Sequence, residues 1–266
     1  MANFFKRLFG KKDSEKNDLA TKSDSEITKD SEISDKEDKV FTVGNVQFKM
    51  KHVSAGTFIM GERQANVMAH KVTLSKDYWI GETPVTQALW QSVMGSDPSH
   101  SGLRLDDAPI ENVNWDECQT FIDKLSELTG QKFNFPTEAQ WEFAARGGNN
   151  SKGYIYSGSD DIDDVAWYWN NCHKEVHAVK TKKPNELGIY DMSGSVWEWC
   201  YDWADEYDAE DDYDPIGPLF PKSFKKIIRG GSMENNSPAC ATTARSLLDF
   251  PKRHPMVGLR LCLLNS

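Results

Sequence analysis

From Gly148 onward the sequence carries almost no periodicity of either kind. Gly, Asn, Asp and Trp recur without the 3.6-residue spacing of an amphipathic helix or the alternation of a half-buried strand. Such a chain cannot be a helical bundle or a doubly wound sheet, which need regular elements throughout. Tryptophans in irregular segments point to loops that are themselves packed. The expectation is a mixed α and β domain in which much of the ordered chain is loop. Its 266 residues, 38 % hydrophobic with nine tryptophans, supply core for one large domain or two small ones.

Ahead of Gly148 the regular signals are concentrated. Strand-like runs come first: VFTVGNVQFKM, then FKMKHV, TFIM and KVTLSKDYWI. Three helices are predicted next. TPVTQALWQSVMG can start at Thr86 and stop at Gly95. NWDECQTFIDKLSELTG has Asn114 as N-cap, Glu117 three residues on and Gly130 after the end, with Trp115, Cys118, Phe121, Ile122, Leu125 and Leu128 on one face. PTEAQWEFAARGG pairs Thr137 with Gln140 in a capping box, with Gly147 beyond the last turn.

The N-terminal residues differ from both regions. Residues 1–12 place Phe4, Phe5, Leu8 and Phe9 at helical spacing among Lys6, Arg7, Lys11 and Lys12, a charge of +4. This basic amphipathic segment suits peripheral contact with an anionic membrane through residues 4–12, or equally a frayed or partner-docking terminus. Residues 13–39, with the loose repetition DSEIT and DSEIS, read as a disordered linker because they hold too little apolar surface to offset the entropy of ordering. The folded domain is expected over 40–266. The net charge of -10 argues against nucleic acid as a partner. There is no apolar run of membrane-spanning length and no secretory leader, so the expected location is cytoplasmic, with membrane association through the tail. Five scattered cysteines without a CxxC fit neither a disulfide framework nor a zinc site. No Walker loop, HExxH or GxSxG is present.

Four stretches in a fixed order carry a resemblance: FIMG (58–61), ETPVTQALW (82–90), NFPTEAQWEFAARGG (134–148) and KKPNELGIYDMSGSVWEWCYDW (182–203), closed by RGGS (229–232) and GLR (258–260). Together they resemble the formylglycine-generating enzyme, or sulfatase-modifying factor, family over residues 41–264. The resemblance implies an α+β, C-type-lectin-like fold with a small twisted antiparallel sheet, two main helices and much ordered loop. In its enzymes a copper ion held by two cysteines, five residues apart after the GGS, oxidises a substrate cysteine to formylglycine. Those positions fall here on Asn235 and Cys240. Copper(I) needs two soft thiolates, and Asn235 supplies none, so copper is not expected. The family's calcium signature falls on SGSVWEWC and implies Ser195, Val196, Glu198 and Cys200 as ligands, with serine replacing the usual asparagine. The alternative for Glu198 is a carboxylate that satisfies buried loop amides.

Two readings of the 229–260 loop follow. Lectin-fold relatives, including variable proteins of diversity-generating retroelements, use this segment as an exposed ligand-binding face. On that reading Met233, Glu234, Asn235, Asn236, Ser237, Leu247, Phe250 and Met256 contact a protein or small-molecule ligand, and the apolar ones form a sticky patch. On the other, the chain is a protein-modifying oxidase using Cys240, with Ser232 as a polar helper and Arg245 lowering the thiol pKa. Two further candidates are the acidic stretch YDWADEYDAEDDYDPIG (201–217), read as a solvated loop or a weak divalent-cation site, and His173 with His177, a metal pair only if helical.

Overall fold

The computed structural model describes residues 36–61, 69–99, 105–207, 210 and 212–264. The amphipathic segment 1–12 and the linker up to residue 35 lie outside the described residues. In chain order the elements are β1 (Lys39–Val43), β2 (Val46–Val53), β3 (Gly56–Met60), β4 (His70–Leu74), β5 (Tyr78–Gly81), α1 (Gln87–Met94), α2 (Trp115–Thr129), β6 (Phe133–Asn134), α3 (Glu138–Ala145), α4 (Ile162–Val165), β7 (Trp197–Trp203), β8 (Asp212–Tyr213), β9 (Lys225–Arg229), β10 (Arg245–Asp249), β11 (Val257–Leu259) and β12 (Cys262–Leu264). The first strand begins at Lys39, just inside the segment read as linker.

Capping sets the helix limits. Thr86 accepts from the Leu89 amide at the start of α1, and Gly95 ends it in the left-handed region at φ 74°. Both capping boxes form, Asn114 with Glu117 on α2 and Thr137 with Gln140 on α3. On α2 the face of Cys118, Phe121, Ile122 and Leu125 is buried, while Leu128 is exposed, because the helix outruns the core it covers. α3 is buried on nearly every side, including its carboxylates Glu138 and Glu142.

The strands form three sheets, ordered β1-β2-β5-β12-β6, β10-β9-β7-β11 and β3-β4-β8. Pairing is antiparallel except for β11 on β7 and β8 on β4. One core lies between α1, α2 and the first two sheets, around Trp79, Trp90, Phe121, Phe135 and Trp199. A second surrounds α3, with Tyr78, Trp141, Phe143, Ile227 and Cys262. The chain between α4 and β7 contains no strand. It is packed loop, as the tryptophan content implies: Trp167 bridges to Gly194, and its carbonyl accepts the Ser195 N–H at 2.7 Å.

Candidate binding surface around the Gly-Gly-Ser turn

β9 ends at Arg229, and the chain reverses through Gly230 and Gly231, at φ 99° and 73°. Gly231 must be glycine on two counts: it is left-handed, and a Cβ there would lie 2.7 Å from both Ala239 O and Cys240 Sγ. The turn is joined to the 193–196 loop by backbone bonds, Gly194 N–H to Gly230 O (2.8 Å) and Met233 N–H to Ser195 O (3.0 Å). The two stretches singled out separately in the sequence are therefore one structure.

Asn235 organises that structure. Its Oδ1 accepts from the Ser232 hydroxyl (2.6 Å), the Ser232 N–H (3.1 Å) and the Trp197 indole (2.8 Å). Its backbone carbonyl accepts from the Trp169 N–H at 3.1 Å. A short 3-10 turn, Ser237–Cys240, then carries Cys240 inward against Ile162, Ala166 and Tyr168. The Cys240 side chain is 0 % exposed, and burial pushes its thiol up to about 12. Arg245 does not approach it. Its guanidinium binds Glu138 (2.7 and 2.8 Å) and Asp205 O (2.8 Å). Ser232 is buried with its hydroxyl turned to Asn235, not to a reaction pocket. Both side chains are turned into the packed interior of the loop. One neighbour was not visible in the sequence: Cys172, from the loop before β7, donates its thiol to Met233 O at 3.3 Å.

The residues assigned to a ligand face divide. Glu234, Asn236 and Leu247 are exposed; Met233, Ser237 and Phe250 are half-buried. Asn235 is committed to the interior bonds above, and Met256 is buried beneath the loop. Of the eight, Glu234, Asn236 and Leu247 are thus the most accessible.

The residues of the calcium signature do not fit a cation. Glu198, at 0 % exposure, faces Arg260, whose Nη2 and Nε lie 2.7 and 2.9 Å from its two oxygens, and it accepts the Trp141 indole at 2.6 Å. Its charge is already balanced by a guanidinium. The Ser195 carbonyl accepts Met233 N–H, and the Cys200 carbonyl accepts the Trp115 indole at 3.1 Å. Copper fits no better, since one buried thiol stands where two thiolates are needed. His173 is on a turn and His177 in the irregular chain after it, where it stacks on Trp167 at 3.6 Å and bonds Cys172 O at 3.0 Å. Among the described residues no three His, Cys, Asp or Glu side chains form a metal-binding group.

A second set of buried charges supports the opposite side of the turn. Arg229, fully buried, binds Glu142 and Glu138 and the carbonyls of Thr242 (2.8 Å) and Thr243 (3.2 Å). This holds the chain leaving the turn against α3. Of the acidic stretch, Asp202 is not solvated. It is buried, accepts the Glu138 N–H at 2.8 Å, and is pushed up to about 7 by burial and by the neighbouring Glu138 charge.

Three small sheets, three helices of eight residues or more and long bonded loops define a C-type-lectin-like architecture. The chain belongs to the formylglycine-generating enzyme family: the sulfatase-modifying factor enzyme 1-like domain matches residues 41–264. It is 31 % identical over 240 residues to a protein named chaperone protein LppX from Paenibacillus barcinonensis, covering 71 % of this chain and 81 % of that one. It is 30 % identical over 170 residues to the formylglycine-generating enzyme of Streptomyces coelicolor, covering 58 % of this chain and 50 % of the enzyme, so it matches about half the enzyme's length. A solved structure named Treponema denticola variable protein 1 is similar with a TM-score of 0.79 and 33 % identity, over 86 % of this chain and 99 % of that one.

Proposed function

We propose that this domain is a binding module for a protein or small-molecule ligand and does not generate formylglycine. The bond set around Asn235 carries the reading. Where the enzymes of the family place their first copper thiolate, this chain places an amide that locks the loop shut from within. The remaining thiol is buried and held protonated. A rigid turn displaying Glu234, Asn236, Ser237 and the Leu247 side of β10 offers a preorganised face with no reactive group. Two relatives support a non-catalytic use by name, one as a chaperone and one as a variable protein.

The test is a copper(I) titration against a colourless competing chelator, on the wild type and on Cys240→Ser, followed by turnover of a sulfatase-type cysteine peptide. The expected result is no tight copper site and no turnover in either protein. A tight one-to-one site lost in Cys240→Ser would return the oxidase reading.

A further inference from the structure

We propose that a trough between β7, residues 204–207 and 212–219 and β10 binds an extended polypeptide segment that is cationic and carries an aromatic or large aliphatic side chain. The proposal rests on the binding-module reading but uses a different surface from Glu234 and Asn236.

Two cavities, of about 540 and 300 Å³, share Trp203, Ile216 and Pro218 in their walls and so form one trough with two ends. The larger end is acidic. Glu138 and Asp205 there are already paired, with Arg245 and Lys222, and Asp214 is taken up by the Ser75 amide and hydroxyl. Glu206, Glu210 and Asp212 line the same end and have no lysine or arginine partner among the described residues. The Tyr207 hydroxyl, also in this wall, is buried with no hydrogen-bond partner. Carboxylates in a concave wall focus a negative potential that attracts cations and repels anions.

The smaller end is aromatic, walled by Trp115, Tyr201, Trp203 and Phe250. Beneath it lies Lys226, its Nζ donating to Tyr201 O at 2.6 Å and lying 4.0 and 4.3 Å from the Trp203 and Trp115 ring centres. A cation already sits on these rings, so a second is disfavoured, and this end is suited to an uncharged aromatic or aliphatic side chain. Leu219 also lines this end; Phe220 follows it in the chain, the Phe224 carbonyl accepts the Phe250 N–H at 3.3 Å, and the three are exposed at 77, 87 and 75 %. Apolar side chains grouped so openly beside a trough mark an interaction site.

The trough is preformed. β8 pairs with β4, and Arg245 Nη1 bonds the Asp205 carbonyl at 2.8 Å, so the acidic wall is fixed to the sheets on either side. β10 is an edge strand of its sheet, which suits an extended partner.

The experiment uses the full chain and three fluorescein-labelled short peptides: one alternating lysine and phenylalanine, one with glutamate for lysine, and one with alanine for phenylalanine. The first is expected to bind, weakening by at least about tenfold from low to physiological ionic strength, and to outbind the other two by a similar factor. Glu206→Lys with Glu210→Lys, and separately Leu219→Ser with Phe220→Ser, should each weaken it at least about tenfold. Glu234→Lys should leave it unchanged. All substituted residues are exposed, so unchanged melting curves will show that the variants fold. Equal binding of the three peptides, or binding indifferent to the trough variants, overturns the proposal. So does failure to bind peptide together with adsorption to phosphatidylserine vesicles that Phe220→Ser abolishes, which would make the rim a lipid contact. Copper binding would remove the binding-module reading whatever the peptides do, and peptide failure without copper binding removes this inference alone.

Discussion

Glu198 and Asp202 lie four residues apart on β7, both nearly inaccessible to water, and each meets the cost of burial differently. Glu198 is paired with Arg260 and accepts the Trp141 indole. Glu198→Gln leaves the Arg260 guanidinium buried without a counter-ion and should cost about 3–5 kcal/mol in denaturant unfolding. Because this carboxylate has no charge left to offer, adding calcium should leave the wild-type melting temperature unchanged. Asp202 has no such partner, and its carboxyl is raised from 3.8 to about 7. A raised acid binds its proton more tightly when folded. Its contribution is therefore complete below about pH 4 and lost as pH rises through 7, with no further change above that. Asp202→Asn keeps an acceptor for the Glu138 amide and removes the titration. Its stability relative to wild type should rise between about pH 4 and 7, by on the order of 1.4 kcal/mol for each pH step of one. A difference that stays flat with pH would show that Asp202 remains ionised.

At the scale of elements, the helices were legible because their ends are written in local chemistry. Thr86, Asn114, Thr137, Gly95 and Gly130 all act at the positions read for them. Thr137→Ala should cost about 1 kcal/mol, measurable by urea unfolding, and should loosen the helix that presents Glu138 and Glu142. The Gly-Gly-Ser turn was legible as a motif but not in its purpose. Nothing in RGGSMENN says that Asn235 faces inward, because its partners, Trp197 at the start of β7 and Trp169 in the loop before it, are remote in sequence. Gly231→Ala should destabilise by about 1–3 kcal/mol through crowding against Ala239 and Cys240, with left-handed strain added. Gly44→Ala meets open space and bears the strain alone. Comparing the two variants separates crowding from strain. The trough lay beyond sequence reading for the same reason as Asn235: α2, β7, β10 and residues 212–219 meet only after folding.

Across the whole molecule, the family resemblance gave the architecture, and burial gave what the resemblance could not. All five cysteines are free and buried, on α2, β7, β12, the loop before β7 and the 3-10 turn. A thiol reagent at mildly alkaline pH should modify none of them in the native protein. All five should react together across the unfolding transition, because each is buried in packed core. Early release of one thiol would identify a part of the molecule that opens independently. The topology also bears on how the molecule is made. β12, at residues 262–264, is inserted between β5 and β6, so the first sheet has a gap at its centre until that segment is supplied. A ribosome that has produced everything up to β11 therefore holds a chain with two unpaired strand edges facing each other. Such nascent chains depend on waiting unaggregated for their last strand.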